Sequence, residues 1–240
     1  MKRSGNHVVA SWFQRLTGSC FLNNVVKVAP KKVLRTSFPQ PQSYFLWELK
    51  HEFSRGKCSN RWSHFFTLED LPVNYSLFTK KPRRSILVIR HPHNMFASRI
   101  RKGFQTAHPA YPSNFGYQME RQVDLWKSYA RSALEAKEGT AQTLILFDLF
   151  VADEGYRTEL ATSLGFSSGR IDISRVQDYG GGSSFTGLGG IADKAFVTGV
   201  LRRSELLDDS ERKVFTPIER DSELSGLWQE LWEWESNRIR

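Results

Sequence analysis

The sequence predicts an α/β protein: one three-layer domain over residues 1–240, with a parallel sheet covered by helices on both faces. Three observations carry this. Apolar runs of strand character, Ile86-Leu87-Val88-Ile89 and Leu144-Ile145-Leu146-Phe147, alternate with stretches whose apolar residues recur at helical spacing, the pattern of strands joined by helical crossovers. The chain opens on a loop of basic and small residues, Arg3-Ser4-Gly5-Asn6-His7, that runs directly into an apolar segment. Finally, 240 residues, 40% of them hydrophobic and 13% aromatic, suit a single domain with a sizeable core. No internal repeat and no second domain is evident.

Each element follows from local pattern. Val9, Trp12, Phe13 and Leu16 mark a first helix that Gly18 can close. Residues 23–62 are uneven: Val25–Val28 has strand character, and Pro39-Gln40-Pro41 interrupts the chain before Tyr44-Phe45-Leu46-Trp47. His64–Leu68 reads as a short strand ending in Glu69-Asp70-Leu71-Pro72, and the charge run Lys80-Lys81-Pro82-Arg83-Arg84 as a solvated turn. Ser85–Arg90 is the next strand, with Asn94 capping a helix that reaches Lys102. A loop or lid rich in Pro, Gly and aromatics covers 103–116. Tyr117–Lys137 is a long helix with Val123, Trp126, Tyr129, Ala130 and Leu134 inward. Leu144–Asp148 is a strand, and Tyr156–Gly165 an amphipathic helix ending in Leu-Gly. Beyond a glycine-rich loop at 180–190 come two or three helices, the last packing through Leu224, Leu227, Trp228, Leu231 and Trp232.

Thirty-four basic residues against 25 acidic give a formal charge of +9, which favours an anionic ligand without specifying which. Cys20 and Cys58 are too few for a disulfide framework and lack metal-ligand spacing, so a cytoplasmic protein without a metal is expected. No apolar stretch is long enough to span a membrane, and the N-terminus has no signal-peptide core.

Two motifs suggest chemistry. A small-residue loop opening a helix offers backbone N–H groups and the positive end of the helix dipole, so residues Arg3–Val8 form a candidate phosphate loop. Arg90 ends an apolar strand, and Ser98 follows eight residues later, inside the next helix. If the chain turns back over the strand end, the guanidinium and the hydroxyl meet on one phosphate, with Arg99 and Arg101 nearby.

Together these residues resemble the sulfotransferases that use 3′-phosphoadenosine 5′-phosphosulfate (PAPS). Arg3, Ser4, Gly5 and Asn6 match that family's loop of the form Lys/Arg-Ser-Gly-Thr-Thr/Asn, which holds the 5′-phosphosulfate. Arg90, Pro92 and Ser98 match its Arg-Asx-Pro strand end with a Ser eight residues on, which binds the 3′-phosphate; His91 departs from the usual Asp or Asn. Leu144–Asp148 and Tyr156–Gly165 resemble an architectural strand and helix of the family. Gly180-Gly181-Gly182-Ser183-Ser184-Phe185 falls where the family has a loop over the nucleotide, which implies Gly181, Gly182, Ser183, Ser184 and Phe185 as further nucleotide contacts. The resemblance spans residues 2 to about 205 in the family's order and implies a P-loop NTPase-like sulfotransferase architecture. One departure concerns the sheet: only Met1 and Lys2 precede the loop, so its supporting strand is expected to be truncated, or supplied by Val25–Val28 or Val33–Thr36.

The resemblance implies PAPS as co-substrate and a hydroxyl-bearing acceptor, carbohydrate among the possibilities, recognised by the insertion at 23–62. It places Arg3 beside the departing oxygen, with Lys2 as the second choice, and a general base at Glu69 or, second, Asp70. His7 is a further candidate for the sulfonate or for base catalysis. A kinase or NTPase is distant, because Gly-x-x-x-x-Gly-Lys-Ser/Thr is absent. The competing reading is a non-catalytic basic protein that binds polyanions or nucleotides, a degenerate PAPS binder included; nucleic acid and membrane are not the expected partners.

Overall fold

The computed structural model of the chain describes residues 5–17, 20–23, 25–29, 32–35, 42–45, 64–67, 70, 85–105, 115–136, 142–166 and 194–238. In order these form α1 (Asn6–Thr17), β1 (Cys20–Asn23), β2 (Val25–Ala29), β3 (Lys32–Arg35), β4 (Gln42–Phe45), β5 (His64–Thr67) and β6 (Ser85–Ile89). There follow α2 (Pro92–Gln105), α3 (Phe115–Glu135), β7 (Gln142–Leu146), α4 (Phe147–Ala152) and α5 (Glu154–Ser163). The C-terminal part holds α6 (Lys194–Leu201), a 3₁₀ turn (Arg203–Leu206), α7 (Asp209–Glu219) and α8 (Ser222–Arg238).

The architecture is α/β, and its centre is the parallel pair β6–β7, in register from Ser85 opposite Gln142 to Ile89 opposite Leu146. Strand side chains alternate between faces, and each face meets its own helices. Leu87, Ile89, Leu144 and Leu146 join a cluster with Phe96 and Ile100 of α2, Trp126 and Ala130 of α3, Phe215 of α7, and Trp228 and Leu231 of α8. Ile86, Val88 and Ile145 join the opposite cluster, with Val9, Trp12 and Phe13 of α1, Phe150 of α4, Leu160 of α5 and Val200 of α6. Helices therefore cover both faces of this pair.

The sheet is less continuous than expected. Among the described residues the parallel strands form two pairs, β1–β5 and β6–β7, while β2, β3 and β4 make a separate antiparallel meander. Val25–Val28 and Val33–Thr36 were the internal candidates to support the loop before α1, but β2 and β3 bond to each other instead, so neither lies in a parallel position. Helix α1 touches β1 and β5 and also packs into the cluster containing Ile145, so it borders both pairs.

Local signals explain the helix ends. Pro92 opens α2, where a missing N–H costs nothing; Asn94 is therefore not the cap. Phe147 and Asp148, expected to finish a strand, instead begin α4. Asp153 caps α5 by accepting from the Tyr156 amide, and Gly165 at φ +83° closes it, with Phe166 N bonding to Ala161 O and Gly165 N to Thr162 O. Asp208 and Glu211 form a reciprocal capping box on α7. No described helix is long and apolar enough to cross a membrane.

Candidate functional site

The C-terminal ends of parallel strands are where α/β sheets bind ligands, and here Arg90 directly follows β6 and Phe147 directly follows β7. The Arg90 side chain is 1% exposed and lies over the Phe147 ring, 5.2 Å from its centroid. Its guanidinium donates to the Val200 carbonyl, and its own carbonyl accepts from Trp126 Nε1 at 3.1 Å. Ser98, fully buried in the second turn of α2, accepts from the Arg203 guanidinium at 2.7 Å.

The start of α1 reaches the same ring. At Gly5 φ is +90°, and a Cβ added there would stand 2.1 Å from Phe147 Cε2, so only glycine fits. Val8 and Val9 amides both donate to the Gly5 carbonyl. The helical ladder therefore begins at Val8, whose side chain packs into the core, and the earlier amides of Asn6 and His7 face the helix's positive end. Gly5 and Arg90 are thus both brought to one phenyl ring. Arg3, Ser4, Glu69, Gly181, Gly182, Ser183, Ser184 and Phe185 lie outside the described residues. Asn6 and His7 are described only as backbone in the first turn of α1.

Sequence pattern alone missed three polar side chains here. Asp148 is buried in the first turn of α4 and accepts from the His91 amide at 2.8 Å and from Asn94 Nδ2 at 3.4 Å, fixing the bend after β6. Asn94 also donates to the Leu201 carbonyl at 2.6 Å. Arg203 comes from the 3₁₀ turn. The partners named for them are 54 to 107 residues away in sequence, beyond any local signal.

Asp70 adopts a left-handed backbone, φ +57°, and its carboxylate pairs with the buried Arg99 at 2.5 Å. Arg101 pairs with the buried Glu211 at 2.5 Å and also donates to the Leu206 carbonyl. Arg99 and Arg101, expected nearby as further cations, are engaged in ion pairs that tie α2 to neighbouring segments.

The two histidines of the bend pack as rings. His91 and His93 have centroids 5.1 Å apart, with His91 against Trp228 at 5.0 Å and His93 against Phe215 at 5.6 Å. His91 Nδ1 and His93 Nε2 are buried and have no hydrogen-bond partner among the described residues. Burial pushes His91 down to about 4, against the opposing pull of Asp148 and with His93 and Arg90 adding to the depression. Burial lowers His93 too, opposed by Glu219.

Behind β7, the Tyr156 hydroxyl accepts from the Leu146 amide at 3.1 Å and donates to the fully buried Glu235 at 2.8 Å. Arg238 completes the group on Glu235 at 2.5 Å. Burial, followed by the Glu235 charge, drives the phenol strongly upward, so Tyr156 keeps its proton.

Comparison with known proteins brings no relative: no family model, curated protein or solved structure matches the chain.

Proposed function

We propose that the chain binds 3′-phosphoadenosine nucleotides and acts as a PAPS-dependent sulfotransferase. The observation that carries this reading is the convergence on Phe147: the glycine of the candidate phosphate loop and the strand-end arginine touch the same ring at the ligand-binding edge of a parallel strand pair. Ser98 of α2 adds a hydroxyl, whose oxygen accepts from the buried Arg203. These donors suit a phosphate, because a guanidinium fork and a hydroxyl both donate to anionic oxygens. In this reading Arg90 and Ser98 hold the 3′-phosphate, and the amides from Ser4 to His7 hold the 5′-phosphosulfate.

The bound nucleotide supplies an activated sulfuryl group. Glu69 accepts the proton of the acceptor hydroxyl as its oxygen bonds to sulfur. In this reading Arg3 stabilises the bridging oxygen, which leaves with the electron pair on 3′-phosphoadenosine 5′-phosphate (PAP). Fold-level resemblance does not choose an acceptor.

Calorimetry with PAP, AMP and ATP tests the reading. Clear preference for PAP is the expected result; equal affinity for AMP overturns the 3′-phosphate site. A PAP preference without sulfuryl transfer to any acceptor identifies a binder instead of an enzyme. A polyanion-binding protein shows no nucleotide preference and a steep fall in affinity with salt.

A further inference from the structure

A single stretch of chain, residues 200–206, is held by side chains at four successive positions of the β6 end and α2. Arg90 donates to Val200 O, and Asn94 donates to Leu201 O at 2.6 Å while its Oδ1 accepts from the Ser204 amide at 3.5 Å. Ser98 accepts from Arg203 at 2.7 Å, and Arg101 donates to Leu206 O at 2.6 Å. Asn94, Ser98 and Arg101 are four and three residues apart, which sets them on one helix face. Arg90 at the β6 end and the α2 face that carries Ser98 together hold this strap from the C-terminal part of the chain.

Resting on the nucleotide reading above, we infer that the 200–206 strap preorganises the 3′-phosphate subsite, with Asn94 and Arg203 as positioning residues that act through Arg90 and Ser98. The argument is stereochemical. Accepting from Arg203 holds the Ser98 side chain in one orientation beside the β6 end. Val200 O takes one amino group of Arg90 and thereby sets the plane of the fork. Groups locked before the ligand arrives lose less freedom on binding, which favours the ligand that uses them. Asn94 is the latch of this strap: its partners are Asp148, Leu201 and Ser204, all within the protein.

The test measures PAP and AMP affinity by calorimetry for the full chain and for Asn94→Ala, Arg203→Met, Ser98→Ala and the Arg203→Met/Ser98→Ala double variant. Asn94→Ala is expected to lose about tenfold in PAP affinity, the scale of one net hydrogen bond, with AMP affinity held. Arg203→Met should weaken PAP similarly and add nothing once Ser98 is Ala, since coupled residues are not additive. Additive losses make Arg203 a direct phosphate contact and overturn its positioning role. Should Asn94→Ala fail to fold, the Arg203 and Ser98 cycle decides alone. A wild-type preference for PAP that survives both Asn94→Ala and Arg203→Met overturns the strap while leaving the nucleotide site standing. Absence of any PAP preference in the wild-type chain overturns the site, and the strap's role falls with it.

Discussion

Arg90 and Phe147 occupy adjoining ends of two parallel strands, and the guanidinium lies over the ring 5.2 Å from its centroid. The ring fixes one face of the cation, while the Val200 carbonyl and the Trp126 indole fix the chain around it. A buried arginine positioned this firmly is suited to bidentate recognition of a phosphate.

Replacing Arg90 with Ala should therefore weaken PAP binding by ~1.5–3 kcal/mol, roughly 10- to 100-fold, as for loss of a hydrogen bond to a charged group. AMP lacks the 3′-phosphate, so its affinity should stay within about twofold. Parallel calorimetric titrations check this, and equal losses for both nucleotides count against the assignment.

Gly5→Ala combines a left-handed backbone with a collision against Phe147. The conformational cost of ~1–2 kcal/mol and an overpacking cost of ~1–3 kcal/mol together predict a melting temperature lower by roughly 5–15 °C. Thermal unfolding measures it. Phe147→Leu in the Gly5→Ala background, which removes the obstructing ring, should recover part of the loss.

Acid should loosen the bend between β6 and α2. His91 titrates near 4 in the fold against 6.5 in an unfolded chain, so unfolding takes up protons between those values. The stabilisation is complete above pH 6.5 and is lost as pH falls toward 4; His93, also lowered, acts in the same direction. For His91 the loss amounts to about 2 kcal/mol by pH 5. Melting curves at pH 7.5 and pH 5 for the wild type and His91→Phe provide the measurement: the variant should show a smaller drop, and an identical drop would remove His91 from the explanation.

Tyr156→Phe removes the hydroxyl that joins the Leu146 amide to Glu235. Leaving buried groups unsatisfied costs ~1–3 kcal/mol, which for a chain of this size corresponds to a melting temperature lower by roughly 3–10 °C. Nucleotide affinity should hold, because the hydroxyl's partners are structural.

Glu69→Gln should lower sulfuryl transfer about 100-fold while PAP affinity stays within a few-fold, the pattern of a lost general base. Full activity in this variant, with loss in Asp70→Asn, would move the base to the next residue, where the carboxylate must first leave Arg99.

What the sequence made legible was local. The spacing of Val123, Trp126, Ala130 and Leu134 announced α3, and Leu224, Trp228 and Leu231 announced the buried face of α8, because both signals repeat within a few residues. The strand before Arg90 and the placing of Ser98 inside the following helix came from the same kind of pattern. Asn94 was misread as a cap since its true partners, Asp148 and Leu201, are 54 and 107 residues away. Arg203 was missed because nothing near it in sequence marks it as a partner of Ser98. The meander β2–β4 was read as uneven chain with candidate strands only at Val25–Val28 and Val33–Thr36, for short strands that pair with one another give weak alternation and no helix to frame them.

The contact between Tyr156 and Glu235 has a consequence for biosynthesis. Glu235 lies 79 residues beyond the tyrosine, and Leu224, Trp228 and Leu231 of the same helix cover the face of β6 and β7. At the pace of translation, ~5–20 residues per second, the apolar strands wait roughly 4–16 s for their covering helix. Until α8 has been made, the cluster over Leu87, Ile89, Leu144 and Leu146 lacks its α8 members, so completing that core is a late event in the synthesis of the chain.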